Sequence, residues 1–253
     1  PMLSLLIIGD EILTGRVVEE NLAYMIRHFG AAGYAPEEAR IIRDRVEDIA
    51  EAVAELSSRY DYLVTTGGVG PTHDDVTYEG VARAFSIALE ENPDMERFLG
   101  MRHGGTLEPG ARRMARLPVG ARVIENEENR WPVVQVRNCF VLPGLPGALK
   151  DKVHRVIALL PERAALIHAN VYLTADEATV SLWLEELQAQ SGDLLIGSYP
   201  IVRNRRYFTK VSITGSSAEA VFALQQQVVA WAKENGWFEG VDEPRPIGDD
   251  EGR

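Results

Sequence analysis

The densest chemistry in the sequence lies in the run Asp61–Asp75, DYLVTTGGVGPTHDD. There Thr66, Gly67, Gly68, Gly70, Pro71, Thr72 and His73 lead into two adjacent acids, Asp74 and Asp75. Without a Cβ, the glycines let the backbone take dihedrals closed to other residues and approach a ligand closely. The run leaves an apolar strand pattern and enters a helical one. Backbone N–H groups and the positive end of a helix dipole would then converge on an anion such as a phosphate. The plainer reading is a strand-to-helix turn with Thr72 as N-cap and Asp75 closing a capping box. The two readings are compatible. Two neighbouring carboxylates repel an anion unless a hard cation lies between them, so Asp74 and Asp75 point to Mg2+, Mn2+ or Co2+. As first-turn acids they would only complement the dipole.

A second group of acids, Asp10 and Glu11, follows Gly9 in IGDEILTGR (Ile8–Arg16). Ligands of open α/β sheets bind beyond the carboxyl ends of the strands, and these acids stand at the end of a buried strand pattern. Asp10 as a turn former is the simpler alternative. Asn21, in the first turn of the next helix, is placed either to hydrogen-bond a ligand or to favour the helix start. Among the histidines only His73 lies in the glycine loop; His28, His103, His154 and His168 are scattered without ligand spacing. Cys139 sits in an apolar strand and reads as core. Arg203, Arg205 and Arg206 read as a solvated hairpin. No Ser–His–Asp or Cys–His arrangement emerges, so water is the expected nucleophile of any hydrolysis.

The elements that must position these residues follow from periodicity. Leu3–Ile8 is a continuous apolar run that suits a strand buried on both faces. Helical spacing follows at Glu20–Phe29 and Val46–Leu56, with strands at Ala39–Ile42 and Tyr60–Thr66 and a helix over Val76–Ile87. Strands alternating with helices predict an α/β fold with a doubly wound, mostly parallel sheet. Asn92–Arg116 is a mostly helical excursion. Strands at Ala121–Ile124, Val133–Val136 and Cys139–Leu142, the turn Pro143–Pro146 and a helix over Ala148–Leu160 complete a first domain over residues 1–161. A βαββα order over residues 162–240 predicts a small α+β domain. Residues 241–253, rich in Pro, Gly and acids, are expected to be a disordered tail.

Composition narrows the function. The net charge of −12 over 253 residues argues against a nucleic-acid partner, which normally meets a basic face. A single cysteine rules out an internal disulfide framework and a thiolate cluster. No apolar run approaches the roughly 20 residues needed to span a bilayer. Leu3–Ile8 lacks the basic flank of a signal peptide, so a cytoplasmic protein without a membrane partner is expected.

Taken in order, IGDEILTGR, TTGGVGPTHDDVT and VLPGLPGALK resemble the molybdenum-cofactor-biosynthesis (molybdopterin-binding) domain family over roughly residues 3–160. The nearest subgroup is the CinA N-terminal domain and the molybdopterin-binding-like domain of eukaryotic FAD synthase. GPTHDDVTYEGVARAF and WPVVQVRNCFVLPGLP look especially like the latter. The second half, with IGSYP at Ile196–Pro200, is similar to the small α+β domain that follows in CinA-like proteins. The resemblance implies a small-molecule nucleotide or pterin as ligand. CinA-type domains are associated with metal-dependent hydrolysis of ADP-ribose, and the FAD synthase domain with FAD hydrolysis. Carried over by motif, Asp10, Gly67, Gly68, Gly70, Thr72, Asp74 and Asp75 would line the nucleotide and metal site. Gly9, Glu11, Asn21, Thr66, Pro71, His73, Pro143 and Gly144 would border it. Metal-dependent hydrolysis of a nucleotide pyrophosphate by a homo-oligomer is the leading expectation. A molybdopterin transferase and a non-catalytic pterin or nucleotide binder are the alternatives. Deamidase and FAD synthase activities are not expected, since neither domain is recognisable in the chain.

Overall fold

β1 (Leu3–Ile8) is buried at every residue. Such a strand must be covered on both faces and both edges. In the computed structural model, which describes residues 1–125, 130–203 and 206–248, β1 pairs in parallel with β2 (Glu38–Ile42) and with β3 (Tyr62–Thr66). Parallel pairing continues from β3 to β8 (Cys139–Leu142), while β7 (Val133–Val136) and β6 (Arg122–Ile124) join antiparallel. The resulting six-stranded sheet has the order β2-β1-β3-β8-β7-β6.

A single turn, α1 (Asp10–Leu13), follows β1, and α2 (Asn21–Ala31) then leads to β2. α3 (Val46–Arg59) leads from β2 back across β1 to β3. Right-handed crossovers that step in opposite directions put α2 and α3 on opposite faces. Leu6 and Ile8 share a core with Ile49, Val53 and Leu56 of α3 and with Val81 of α4 (Thr77–Ala84). The excursion after α4 comprises α5 (Pro93–His103), α6 (Pro109–Met114) and a ribbon of β4 (Leu89–Glu91) with β5 (Arg116–Pro118). Met95, Phe98 and Leu99 of α5 tie it to the same core. α7 (Pro146–Leu159) buries Leu149, Val153 and Val156.

The chain divides into two compact units, residues 1–29 with 34–162, and residues 30–33 with the chain from Arg163 onward. The second unit is a four-stranded antiparallel sheet ordered β10-β11-β9-β12. Its strands are β9 (Ile167–Leu173), β10 (Leu195–Arg203), β11 (Arg206–Gly215) and β12 (Phe238–Pro246). α8 (Glu177–Gln190) and α9 (Ala218–Glu234) supply Val180, Leu184, Val221 and Val228 to a core with Ala169, Val171, Val211 and Ile213.

β12 corrects the expectation of a disordered tail from residue 241: the strand runs to Pro246 and pairs antiparallel with β9. Residues 249–253 of that expectation lie outside the described residues, as does Arg205 of the expected basic hairpin. His28 and His154, remote in sequence, are brought together by α2 and α7. Their rings lie 4.9 Å apart, and the Tyr24 hydroxyl is 3.0 Å from His154 Nε2. Cys139 is fully buried, which pushes its thiol pKa up and makes it core. Among the described residues, no helix is long and apolar enough to cross a membrane.

Candidate active site

In the order β2-β1-β3 the chain reverses direction at β1, and ligands of open α/β sheets bind beyond the carboxyl strand ends at such a switch point. Gly67, with φ of 94°, passes so close to the end of β1 that a Cβ would run into the Ile8 carbonyl oxygen. Its N–H donates to the Leu142 carbonyl at 3.1 Å, tying the loop to the end of β8. A Cβ on Gly144 would sit 3.2 Å from Gly67 Cα. Glycine is required here by close backbone approach. The loops after β1, β3 and β8 therefore meet at one end of the sheet.

Two side chains fix this junction. Asn21 is 6% exposed, and its Nδ2 donates to the Gly144 carbonyl at 2.7 Å, so it positions the turn after the buried Pro143. The Thr77 hydroxyl donates to the Gly67 carbonyl at 2.8 Å, and the Thr77 N–H donates to the Gly68 carbonyl at 3.0 Å. Thr66 is buried in β3 just before the loop.

Asp10 opens α1 directly beyond the end of β1, and its closest partner is Asp44, a residue that sequence reasoning missed. The Asp10 N–H donates to Asp44 Oδ2 at 2.7 Å. A Cβ on Gly68 would come within 3.2 Å of Asp44 Oδ1, so this carboxylate faces the glycine loop. Arg43 is 3.7 Å from Asp10 Oδ1. Glu11 folds back over the extended Gly9, whose N–H donates to the Ile42 carbonyl at 3.0 Å. Burial lifts the Asp44 carboxyl above the usual carboxylate range. The hydrogen bond from Asp10 opposes this, and the charges of Glu11, Asp10 and Asp74 add to the rise. Asp44 follows Ile42 at the end of β2, so the strand-end rule that singled out Asp10 would have found it.

The second half of the loop departs from the expected capping box. α4 begins at Thr77, with Val76 as an N-cap that makes no side-chain hydrogen bond. Thr72 instead closes a separate turn: its N–H donates to Asp75 Oδ2 at 2.9 Å, and the Asp75 N–H donates to its carbonyl at 3.2 Å. The reciprocal pairing of Thr72 and Asp75 is present, but one turn ahead of the helix. The Thr72 hydroxyl lies 2.5 Å from Asp74 Oδ1 and 2.6 Å from Asp75 Oδ2, so its proton is shared between two acceptors. This hydroxyl holds the Asp74 carboxyl below the usual range. Asp75 lies over Gly70, where a Cβ would be 2.6 Å from its Oδ2. His73 is exposed, and its carbonyl accepts from Arg113 Nη2 at 3.4 Å. Pro71 lies beside α6, where a Cβ on Gly110 would come within 3.5 Å of its Cβ.

The structure thus brings Asp10, Asn21, Gly67, Gly68, Pro143 and Gly144 together and adds Asp44. Asp74 and Asp75 both turn toward Thr72. Among the described residues, no three acidic, histidine or cysteine side chains are gathered as a ready-made metal cluster.

Comparison with known proteins identifies the family of each unit. The family described as "Probable molybdopterin binding domain" matches residues 4–162, and "FAD synthase, middle domain" matches residues 165–238. A "Probable FAD synthase" of Caenorhabditis elegans is 32% identical over 250 residues, covering 87% of this chain and 48% of that protein. A "CinA-like protein" of Citrifermentans bemidjiense is 38% identical over 167 residues, covering 63% of this chain and 40% of that protein. The chain thus spans about half the length of the FAD synthase relative. A crystal structure of the protein CinA from Thermoplasma acidophilum, itself of unknown function, superposes with a TM-score of 0.57 at 28% identity. It covers 63% of this chain and 98% of that one. The chain therefore belongs to the probable molybdopterin binding domain family, in the branch shared by CinA-like proteins and FAD synthases, and continues into an FAD synthase middle domain.

Proposed function

We propose that the first unit hydrolyses the pyrophosphate bond of a nucleotide such as ADP-ribose or FAD, with the help of a divalent cation. The observation that carries this reading is the Asp10–Asp44 acid pair, of which the Asp44 carboxylate faces Gly68 of the loop. Carboxylates beside a phosphate loop suit a hard cation by donor chemistry. Mg2+ is commonly held by one or two carboxylates together with substrate phosphate oxygens and water, so a preassembled cage is not needed. Asp10 and Asp44 would hold such an ion, which when bound would offset pyrophosphate charge and favour an attacking water. The relatives named as FAD synthases point to a ligand class that includes a dinucleotide.

Each residue has a stated part. Backbone N–H groups of the loop would receive one phosphate without a side chain in the way. Asn21 and Thr77 would keep the loop in place through Gly144 and Gly67. The water oxygen would bond to phosphorus as the bridging P–O bond breaks, giving two monophosphates and a proton taken up by solvent or a nearby carboxylate.

A second reading, a nucleotide binder without turnover, is favoured by one observation: Asp74 and Asp75 both turn toward Thr72. The deciding experiment incubates ADP-ribose and FAD with the protein and Mg2+, Mn2+ or Co2+, and separates monophosphate products by chromatography. Metal-dependent products that disappear in Asp10→Asn and Asp44→Asn are expected. Tight binding without products selects the second reading. Products that persist in both variants overturn the role of the acid pair.

A further inference from the structure

Arg43 stands directly after β2, between Ile42 and Asp44, where the ends of β1 and β2 lie side by side. Its Nη1 is 3.7 Å from Asp10 Oδ1, and among the described residues neither side chain has another ion-pair partner. Among the same residues the Asp44 carboxylate has none. The Arg43–Asp10 contact exceeds hydrogen-bonding distance, and the two side chains are 40% and 44% exposed. A half-exposed pair of this kind adds little to stability, so it is readily exchanged for a better partner.

A continuous row leads from this guanidinium to the glycine loop. The Asp10 N–H donates to Asp44 Oδ2 at 2.7 Å, and Asp44 Oδ1 lies 3.2 Å from a Cβ built on Gly68. Along the row the charges do not balance. Glu11, Asp10 and Asp74 all repel the Asp44 charge, while Arg43 is the basic side chain in ion-pair contact with the acid pair. A divalent cation held by Asp10 and Asp44 competes with Arg43 for the Asp10 carboxylate. Displaced from it, the guanidinium still presents a planar donor fork that matches two phosphate oxygens.

We infer that Arg43 is a ligand-gripping residue that exchanges partners during binding: it passes from Asp10 to a phosphate oxygen of the ligand once a divalent cation holds Asp10. The inference rests on the reading of Asp10 and Asp44 as the residues that hold the cation. It gives Arg43 two effects of opposite sign. Before the ligand arrives, Arg43 opposes the cation at Asp10. Afterwards it strengthens the hold on the phosphate, so cation and ligand favour each other through one side chain.

The test is calorimetry on the full chain with Mn2+ alone, and then with inorganic pyrophosphate at saturating Mn2+. Arg43→Ala is expected to bind Mn2+ about threefold or more tightly than wild type, because a competing positive charge is gone. The same variant is expected to bind pyrophosphate about tenfold more weakly, because a charge-assisted hydrogen bond is lost. A residue that merely props the end of β2 does not move the two affinities in opposite directions. Arg43→Lys keeps the charge without the fork, so Mn2+ affinity should stay near wild type while pyrophosphate binding still weakens. Arg45 pairs instead with Asp48 at 3.9 Å, and Arg45→Ala is expected to change either affinity by less than about twofold. Unchanged or weaker Mn2+ binding in Arg43→Ala overturns the exchange, as does unchanged pyrophosphate affinity. A wild type that binds Mn2+ no better than Asp10→Asn/Asp44→Asn brings down the cation reading and the exchange with it. Mn2+ binding that needs the acids but ignores Arg43 brings down the exchange alone.

Discussion

Asp10 and Asp44 exchange backbone hydrogen bonds: Asp44 Oδ2 accepts from the Asp10 N–H at 2.7 Å, and Asp10 Oδ1 accepts from the Asp44 N–H at 3.3 Å. The exchange locks the ends of β1 and β2 together and sets two carboxylates side by side, at a cost in repulsion. Because Asp44 has a higher pKa in the folded protein than an ordinary carboxyl, the folded state binds its proton more tightly than the unfolded chain does. Its ionised form therefore destabilises the fold above the raised pKa, and the penalty fades as pH falls through that value.

Asp44→Asn keeps an oxygen to accept from Asp10 while removing the charge. The variant is expected to melt a few degrees above wild type at pH 7–8, with the difference closing toward about pH 4, where the unfolded carboxyl also protonates. Added Mg2+ should raise the melting temperature of wild type more than that of the variant. Thermal melts across this pH range decide the matter; an Asp44→Asn protein that melts lower at neutral pH removes the case for a strained functional acid.

The shared Thr72 hydroxyl separates the roles of Asp74 and Asp75. Asp75 also accepts the Thr72 N–H, so Asp75→Ala should cost about 1 kcal/mol, the usual worth of a cap. Asp74→Ala loses only part of a shared hydroxyl bond and should be nearly neutral in stability. Thr72→Val should raise the Asp74 carboxyl back toward its ordinary range of about 4, followed by carboxyl NMR titration. In wild type, the stability Asp74 contributes is present above the unfolded pKa and lost as pH falls through the lowered folded value. That acid-side loss should vanish in Thr72→Val. An unchanged Asp74 titration counts against the hydroxyl as the cause.

Glycine substitutions should sort by backbone, not by position in the motif. Gly67→Ala meets both a left-handed φ and the Ile8 carbonyl, and is expected to cost more than about 2 kcal/mol. Gly68→Ala strikes the Thr77 hydroxyl, which anchors the loop. Gly70 has no left-handed φ, and the atoms nearest a Cβ there belong to the Asp75 carboxylate, so Gly70→Ala should fold within about 1 kcal/mol of wild type. It is the clean probe of the loop. Urea unfolding of the three variants checks the order; a Gly70→Ala protein less stable than Gly67→Ala would contradict it.

Much of this was legible in the sequence, because β1 and β3 are apolar runs and the glycine loop carries a recognisable residue pattern. Asp10 and Gly67 came out at one sheet end for that reason, while Gly144 entered only through the family resemblance of VLPGLPGALK. Asp44 escaped because RDR after Ile42 reads as an ordinary charged turn. Its importance comes from β2 lying beside β1. β4 and β5 are three-residue strands with too few alternations to declare a period.

β12 was the other miss, and it supports the last prediction. Its exposure alternates as a strand should, but Asp242 takes a sheltered position while Val241 is 36% exposed. Hydropathy therefore points the wrong way, and the register shifts within the β12–β9 pairing blur the period further. Asp242 Oδ2 accepts from Asn170 Nδ2 at 2.9 Å and from the Tyr172 hydroxyl at 2.8 Å. The fully buried Gln225 donates to the Asp242 carbonyl at 2.7 Å and to the Asn170 carbonyl at 3.0 Å. A chain ended after Trp237 leaves these groups short of partners and exposes β9 as an open edge. It should aggregate or lose cooperative unfolding of the second unit. Asp242→Ala should cost about 1–3 kcal/mol, the range for stranding buried polar partners, and Val241→Ala less than about 0.5 kcal/mol. Denaturant unfolding of the two point variants decides whether polar pairing or apolar burial holds this strand. A Val241→Ala loss larger than that of Asp242→Ala would mean that hydropathy governs the edge after all.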